Sequence, residues 1–143
     1  MARFLVVVGM MLIAACSSTT ESEDWRRVVG QMEPAFSSVQ AVQAPSEAVV
    51  NAPFVVTVNT LGSSSCTRAD GAVASVAGRT ALITPYDLVA PSGTSCTRDL
   101  RSFPRSVSLR LTSVGDGLIR VQARGFDDRS LTFDITIPVR AAN

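Results

Sequence analysis

The densest grouping of side chains with chemistry to offer is Arg98, Asp99, Arg101 and Arg105. Guanidinium forks bind phosphate, carboxylate or glycan groups through paired hydrogen bonds, so this segment is a candidate binding surface. The plainer reading is a solvated loop whose arginines pair with Asp87 and Asp99. A second candidate is Thr84-Pro85-Tyr86-Asp87, which holds the single Tyr. Tyr86 and Asp87 on a rigid loop would extend the recognition surface. Alternatively, Tyr86 packs over a sheet edge and Asp87 caps a turn. Asp116, Asp127 and Asp128 fall in Gly-containing segments, but their spacing resembles no calcium loop, so no metal is expected. Ser63, Ser64 and Ser65 would need a base to become nucleophiles, and the chain contains neither His nor Lys. The same absence excludes Schiff-base chemistry and imidazole metal ligation. The expectation is a protein that is not an enzyme and uses no cofactor.

Length and charge agree with that expectation. The chain has 143 residues, 46% of them hydrophobic, enough for one core. All 13 basic residues are Arg, against 12 acidic ones. Setting aside residues 1–15, which contain Arg3, leaves basic and acidic residues equal in number. A neutral chain has no global attraction for nucleic acid, and no such partner is expected.

The elements that must position these residues read as β-strands. Phe54, Val56 and Val58 alternate with Val55, Thr57 and Asn59; Val107, Leu109 and Leu111 alternate with Ser108, Arg110 and Thr112. Ile119, Val121 and Ala123 form a third row, and Leu131 through Val139 a fourth. Period two with apolar residues on one side marks strands with one dry face. Ala72–Val76 and Thr80–Thr84 are weaker candidates, as are short strands around Trp25–Val29 and Val39–Gln43. Turn signals fall at 62–65, 77–79, 115–117 and 125–129. A hairpin is expected at Gly115–Gly117 and another at 125–129. One-faced antiparallel strands must cover each other, so the fold class expected is all-β, an antiparallel two-sheet sandwich with no helix after the first segment.

That first segment carries its own information. Arg3 is followed by an apolar run from Phe4 to Ala15, too short to span a bilayer and of the length of a secretory signal. Ile13-Ala14-Ala15-Cys16 resembles the lipobox of bacterial lipoproteins. The resemblance implies cleavage before Cys16, lipidation of its thiol, and a membrane partner held through that lipid. Several acyl chains make such attachment effectively permanent. By the family's sorting rule, Ser17 after the Cys implies the outer membrane within the cell envelope. Ser17 to Asp24 is small, polar and acidic, as in a flexible tether. The domain reading is therefore signal peptide 1–15, lipidated Cys and tether 16–24, and a single domain 25–143.

With Cys16 lipidated, Cys66 and Cys96 remain as an even pair in an oxidising compartment, where a disulfide is the default. They sit in a repeated local sequence, Ser65-Cys66-Thr67-Arg68 and Ser95-Cys96-Thr97-Arg98. The bridge is expected to pin a long connection, 85–104, to the end of a sheet. A redox role lacks both the Cys-X-X-Cys spacing and a His or Lys to lower the thiol pKa.

Pro53-Phe54-Val55-Val56-Thr57-Val58 with Gly62 resembles the opening strand of bacterial immunoglobulin-like sandwiches. Together with Ser65-Cys66-Thr67, Ile83-Thr84-Pro85-Tyr86-Asp87 and Cys96, the chain over 25–140 is similar to bacterial lipoproteins carrying one such domain. It departs from antibody-type domains in lacking a Cys pair on two core strands, and Trp25 lies far from the strand that would carry a core Trp. The resemblance implies a membrane-anchored binding module for an envelope protein or glycan. The alternative is a structural accessory subunit of a larger envelope assembly.

Overall fold

The computed structural model describes residues 24–34 and 40–142. The expected signal peptide, Cys16, the tether through residue 23 and Val39 lie outside the described residues. Among the described residues there is no helix, so none is long and apolar enough to cross a membrane. Nine strands follow one another: β1 (Arg26–Val29), β2 (Val42–Gln43), β3 (Ala48–Val49), β4 (Phe54–Gly62), β5 (Thr67–Ala77), β6 (Thr80–Val89), β7 (Arg101–Leu109), β8 (Gly115–Arg124) and β9 (Ser130–Arg140).

They form two sheets. One is three-stranded, β2-β4-β7; the other joins β1, β6, β8, β9 and β3 in that order, with β5 on the far side of β6. The expected alternation explains why the sheets face each other. Val56, Val58, Leu109, Ile119, Val121 and Ile137 are buried, and with Ile83 and Val139 they build a common core. Each such side chain contributes about 1.5–3 kcal/mol on leaving water. The chain is thus all-β, with two sheets sharing one core.

Pairing is mostly but not wholly antiparallel: β6 runs parallel to β8, and β3 parallel to β9. The turn at 125–129 joins β8 to β9 as a hairpin closing at Arg124 and Ser130. The hairpin expected at Gly115–Gly117 is not present. Those residues lie inside β8, opposite Ile137, Pro138 and Val139 of β9. β7 pairs instead with β4 in the other sheet, and residues 110–114 carry the chain across. Two amphipathic strands of equal period cannot announce whether they share a sheet or face each other across the core. The crossing is secured at fully buried Leu111 and by the Thr112 N–H, which donates to the Gly78 carbonyl at 2.9 Å.

The long connection expected over 85–104 is also corrected. β6 continues through Pro85 to Val89 and β7 begins at Arg101, leaving 90–100 between them. Pro85 is tolerated because it faces the β5 bulge between Ala69 and Ala72, and falls between the β8 and β1 pairings on its other edge. There a missing N–H breaks no regular ladder.

The segment after β1 ties the sheets together. Gly30 N–H donates to the Pro85 carbonyl at 2.8 Å, Arg124 N–H to the Gly30 carbonyl at 3.0 Å, and Leu61 N–H to the Gln31 carbonyl at 2.7 Å. Gly30 has to be small, since a Cβ there would collide with the Thr60 methyl and press on the Asp87 carboxylate.

Candidate functional site

The residues singled out for binding separate into three environments. Asp87 and Arg105 lie inside. On β6, Asp87 continues the inward row Ala81, Ile83, Pro85; on β7, Arg105 continues the inward row Leu109, Val107. They meet between the sheets, with side chains 2% and 5% exposed, as an ion pair. The reading of a surface loop is therefore corrected for both: the strand period carries them under the opposite sheet.

Thr60, inward on β4, completes this inner cluster. Its hydroxyl donates to Asp87 Oδ1 at 3.0 Å and accepts from Arg105 Nη1 at 2.6 Å. Arg105 also donates to the Phe103 carbonyl at 2.9 Å and the Tyr86 carbonyl at 2.8 Å. Its Nε is buried with no hydrogen-bond partner among the described residues. Burial pushes the Asp87 carboxyl above its ordinary value, opposed by Arg105, the Thr60 hydroxyl and the Gln31 N–H. Sealed from solvent, this cluster binds one sheet to the other.

Tyr86 faces outward on β6, half-buried rather than at the head of a loop. Its ring lies under the Arg27 guanidinium, 3.8 Å from the centroid, and Arg27 Nε reaches Asp70 Oδ2 at 2.5 Å. Trp25 and Arg68 stack likewise at 3.7 Å.

The third environment is exposed and lies where β4, β5, β6 and β7 end or begin. Cys66 and Cys96 form a disulfide with Cα atoms 5.5 Å apart. Around it, Thr97 is the centre of an outer cluster. Its hydroxyl shares hydrogen bonds with Ser63 at 2.8 Å and Ser64 at 3.1 Å, and donates to Asp99 Oδ1. Its N–H donates to Ser65 Oγ at 2.9 Å, and Ser64 N–H donates to Asp99 Oδ1 at 3.1 Å. Arg101 Nε closes the group on Asp99 Oδ2 at 3.2 Å. Arg98 lies exposed beside it.

These bonds hold the Asp99 carboxyl far below the usual carboxylate range, the Thr97 and Ser64 contacts foremost. A carboxylate held so low stays ionised and is a poor proton acceptor. Thr97, Ser63 and Ser64 were not singled out from the sequence as a group. The signal for them was the repeated Ser-Cys-Thr-Arg string, which the disulfide brings side by side.

The carboxylates considered for calcium are dispersed. Asp116 pairs with Pro138 along β8, while Asp127 and Asp128 bind Arg129 and Arg124 in the hairpin loop. Among the described residues no group of three or more Cys, Asp or Glu is placed to hold a metal ion.

Compared with protein-family models, with curated proteins and with solved structures, the chain finds no match in any of the three.

Proposed function

We propose that the chain is a lipid-anchored, non-enzymatic binding module of the cell envelope, whose outer cluster meets an envelope protein or glycan. The observation that carries this reading is where the chain enters the domain. Arg26 of β1 pairs with Val89, the residue that also pairs with Thr67 beside the disulfide. Trp25 therefore lies at the end that bears Thr97 and Asp99. The eight residues from Ser17 to Asp24 extend at most about 26–29 Å. A module fastened at Cys16 would turn the end that bears its outer cluster toward the membrane, so its partner is one found near that surface.

The immunoglobulin-like assignment is supported by the packed three- and six-stranded sheets and the antiparallel order β2-β4-β7. The parallel β6–β8 pair is a departure from that class, whose sheets are antiparallel. The non-enzymatic reading is supported by the lack of His and Lys and by an outer cluster whose carboxylate is held ionised.

The full chain, expressed with its leader and recovered from gently solubilised membranes, tests both parts. Its intact mass is expected to start at Cys16 and include acyl chains. A captured envelope protein or glycan is expected to be lost in Thr97→Ala/Asp99→Asn. A product starting at Met1 without fatty acid overturns the anchor. A stoichiometric partner retained by the double variant overturns the binding end and favours the accessory-subunit role.

A further inference from the structure

The end of the domain that bears the disulfide also gathers side chains suited to a lipid–water boundary. Trp25, the single Trp, is half-buried, with the Arg68 guanidinium 3.7 Å over its ring. Arg26 follows it and pairs with Val89, and both Arg26 and Arg98 are exposed. Leu100 is 45% exposed and precedes Arg101, which pairs with Gly62 at the same end. Val114, 54% exposed, marks the opposite end, because β8 begins beside it and Leu118 pairs with Thr80 at the start of β6.

Reach decides between the two ends. β6 and β8 have 10 residues each, a length of about 32–34 Å. The tether, rooted at Trp25, extends at most about 26–29 Å. It is too short to turn the Val114 end onto a bilayer that holds Cys16. We propose, resting on the anchor reading above, that the tethered end lies on the phospholipid bilayer itself. Trp25 and Leu100 sit at the boundary between headgroups and acyl chains, and Arg26 and Arg98 bind lipid phosphates. A Trp ring, apolar with one N–H, fits such a boundary, and guanidinium forks match phosphate oxygens. Glu21, Glu23 and Asp24 stand beside these arginines in the chain. The surface therefore suits a zwitterionic phospholipid, which presents phosphate and ammonium together.

Quenching by brominated phosphatidylcholine reads depth. In the full chain on phosphatidylcholine vesicles, Trp25 emission is expected to be quenched more by bromine near the headgroups than by bromine deep in the acyl chains. In a Trp25→Phe background, Leu100→Trp is expected to be quenched several-fold more than Val114→Trp. Retaining Trp25 and reading the added emission serves if that background fails to fold. Arg26→Glu/Arg98→Glu is expected to abolish quenching at position 100 while the chain stays on the vesicles. Intact mass of the same preparation reports the anchor separately, since a chain starting at Met1 keeps its apolar leader and still enters the vesicles. Quenching confined to Trp25, equal quenching at positions 100 and 114, or none at any of the three would overturn the proposal. So would quenching at position 100 that survives the paired Glu.

Discussion

The inner and outer clusters are built from the same parts, a hydroxyl, an Asp and an Arg, one set on strands and the other mostly in the connection between β6 and β7. Thr60, Asp87 and Arg105 lie between the sheets; Thr97, Asp99 and Arg101 lie in water beside the disulfide. Their carboxyls move in opposite directions. Burial raises that of Asp87 in spite of its cation, while hydrogen bonds without burial lower that of Asp99. Burial, more than composition, decides which cluster is sealed between the sheets and which stays in water.

The largest effect is expected from breaking the inner cluster. Arg105→Met leaves a buried carboxylate without its cation and is expected to cost about 3–5 kcal/mol in urea unfolding. Asp87→Leu/Arg105→Met removes both charges and is expected to recover most of that loss, since apolar residues of similar volume replace such pairs well. Next comes the clamp of the outer cluster. Cys66→Ser/Cys96→Ser opens a bridge with a sequence separation of 30, which the chain-entropy account values at about 3–4 kcal/mol.

Smaller effects separate the clusters by pH. The Asp99 carboxyl is lowered in the folded chain, so its contribution is complete above the ordinary carboxylate value of 3.8. It is lost as pH falls through the folded value. Asp87 has the opposite sign: its contribution is complete below 3.8 and lost as pH rises through the raised value. Asp99→Asn is therefore expected to flatten the loss of stability between about pH 5 and pH 2, in unfolding curves at several pH values. The variant is expected to be less stable than the unsubstituted chain at neutral pH and to converge on it as pH falls through the folded value.

The smallest effect is expected at Arg120 and Asp134. Their two hydrogen bonds, 2.8 and 2.7 Å, give them good geometry, but both side chains are nearly half exposed. Asp134→Asn is expected to shift the melting temperature within measurement scatter, and salt is expected to erase any difference. A large shift there would mean that geometry rather than burial sets the worth of these pairs.

How much of this was legible before the structure depends on what period two can encode. It identified the dry rows Val56–Val58, Ile119–Ala123 and Leu131–Val139, hence two facing sheets. It also held the information to place the inner cluster. Arg105 is in phase with Val107 and Leu109, Thr60 with Val56 and Val58, and Asp87 with Ala81 and Ile83. Reading 85–104 as one long connection stopped the β6 and β7 rows short, although both strands run on into it. Partner choice between strands was not encoded in this way, and so the Gly115–Gly117 turn was assigned to a hairpin that the chain replaces with a crossing. The disulfide followed from cysteine parity and compartment. The gathering of Ser63, Ser64 and Thr97 needed that bridge to be in place first.

Double-mutant cycles run in parallel on Asp87–Arg105 and Asp99–Arg101 address the division of labour most directly. Buried coupling is expected to leave the inner double variant more stable than its worse single variant, while the outer pair combines additively. Additive losses at the inner pair, or equal coupling at both, would contradict the account.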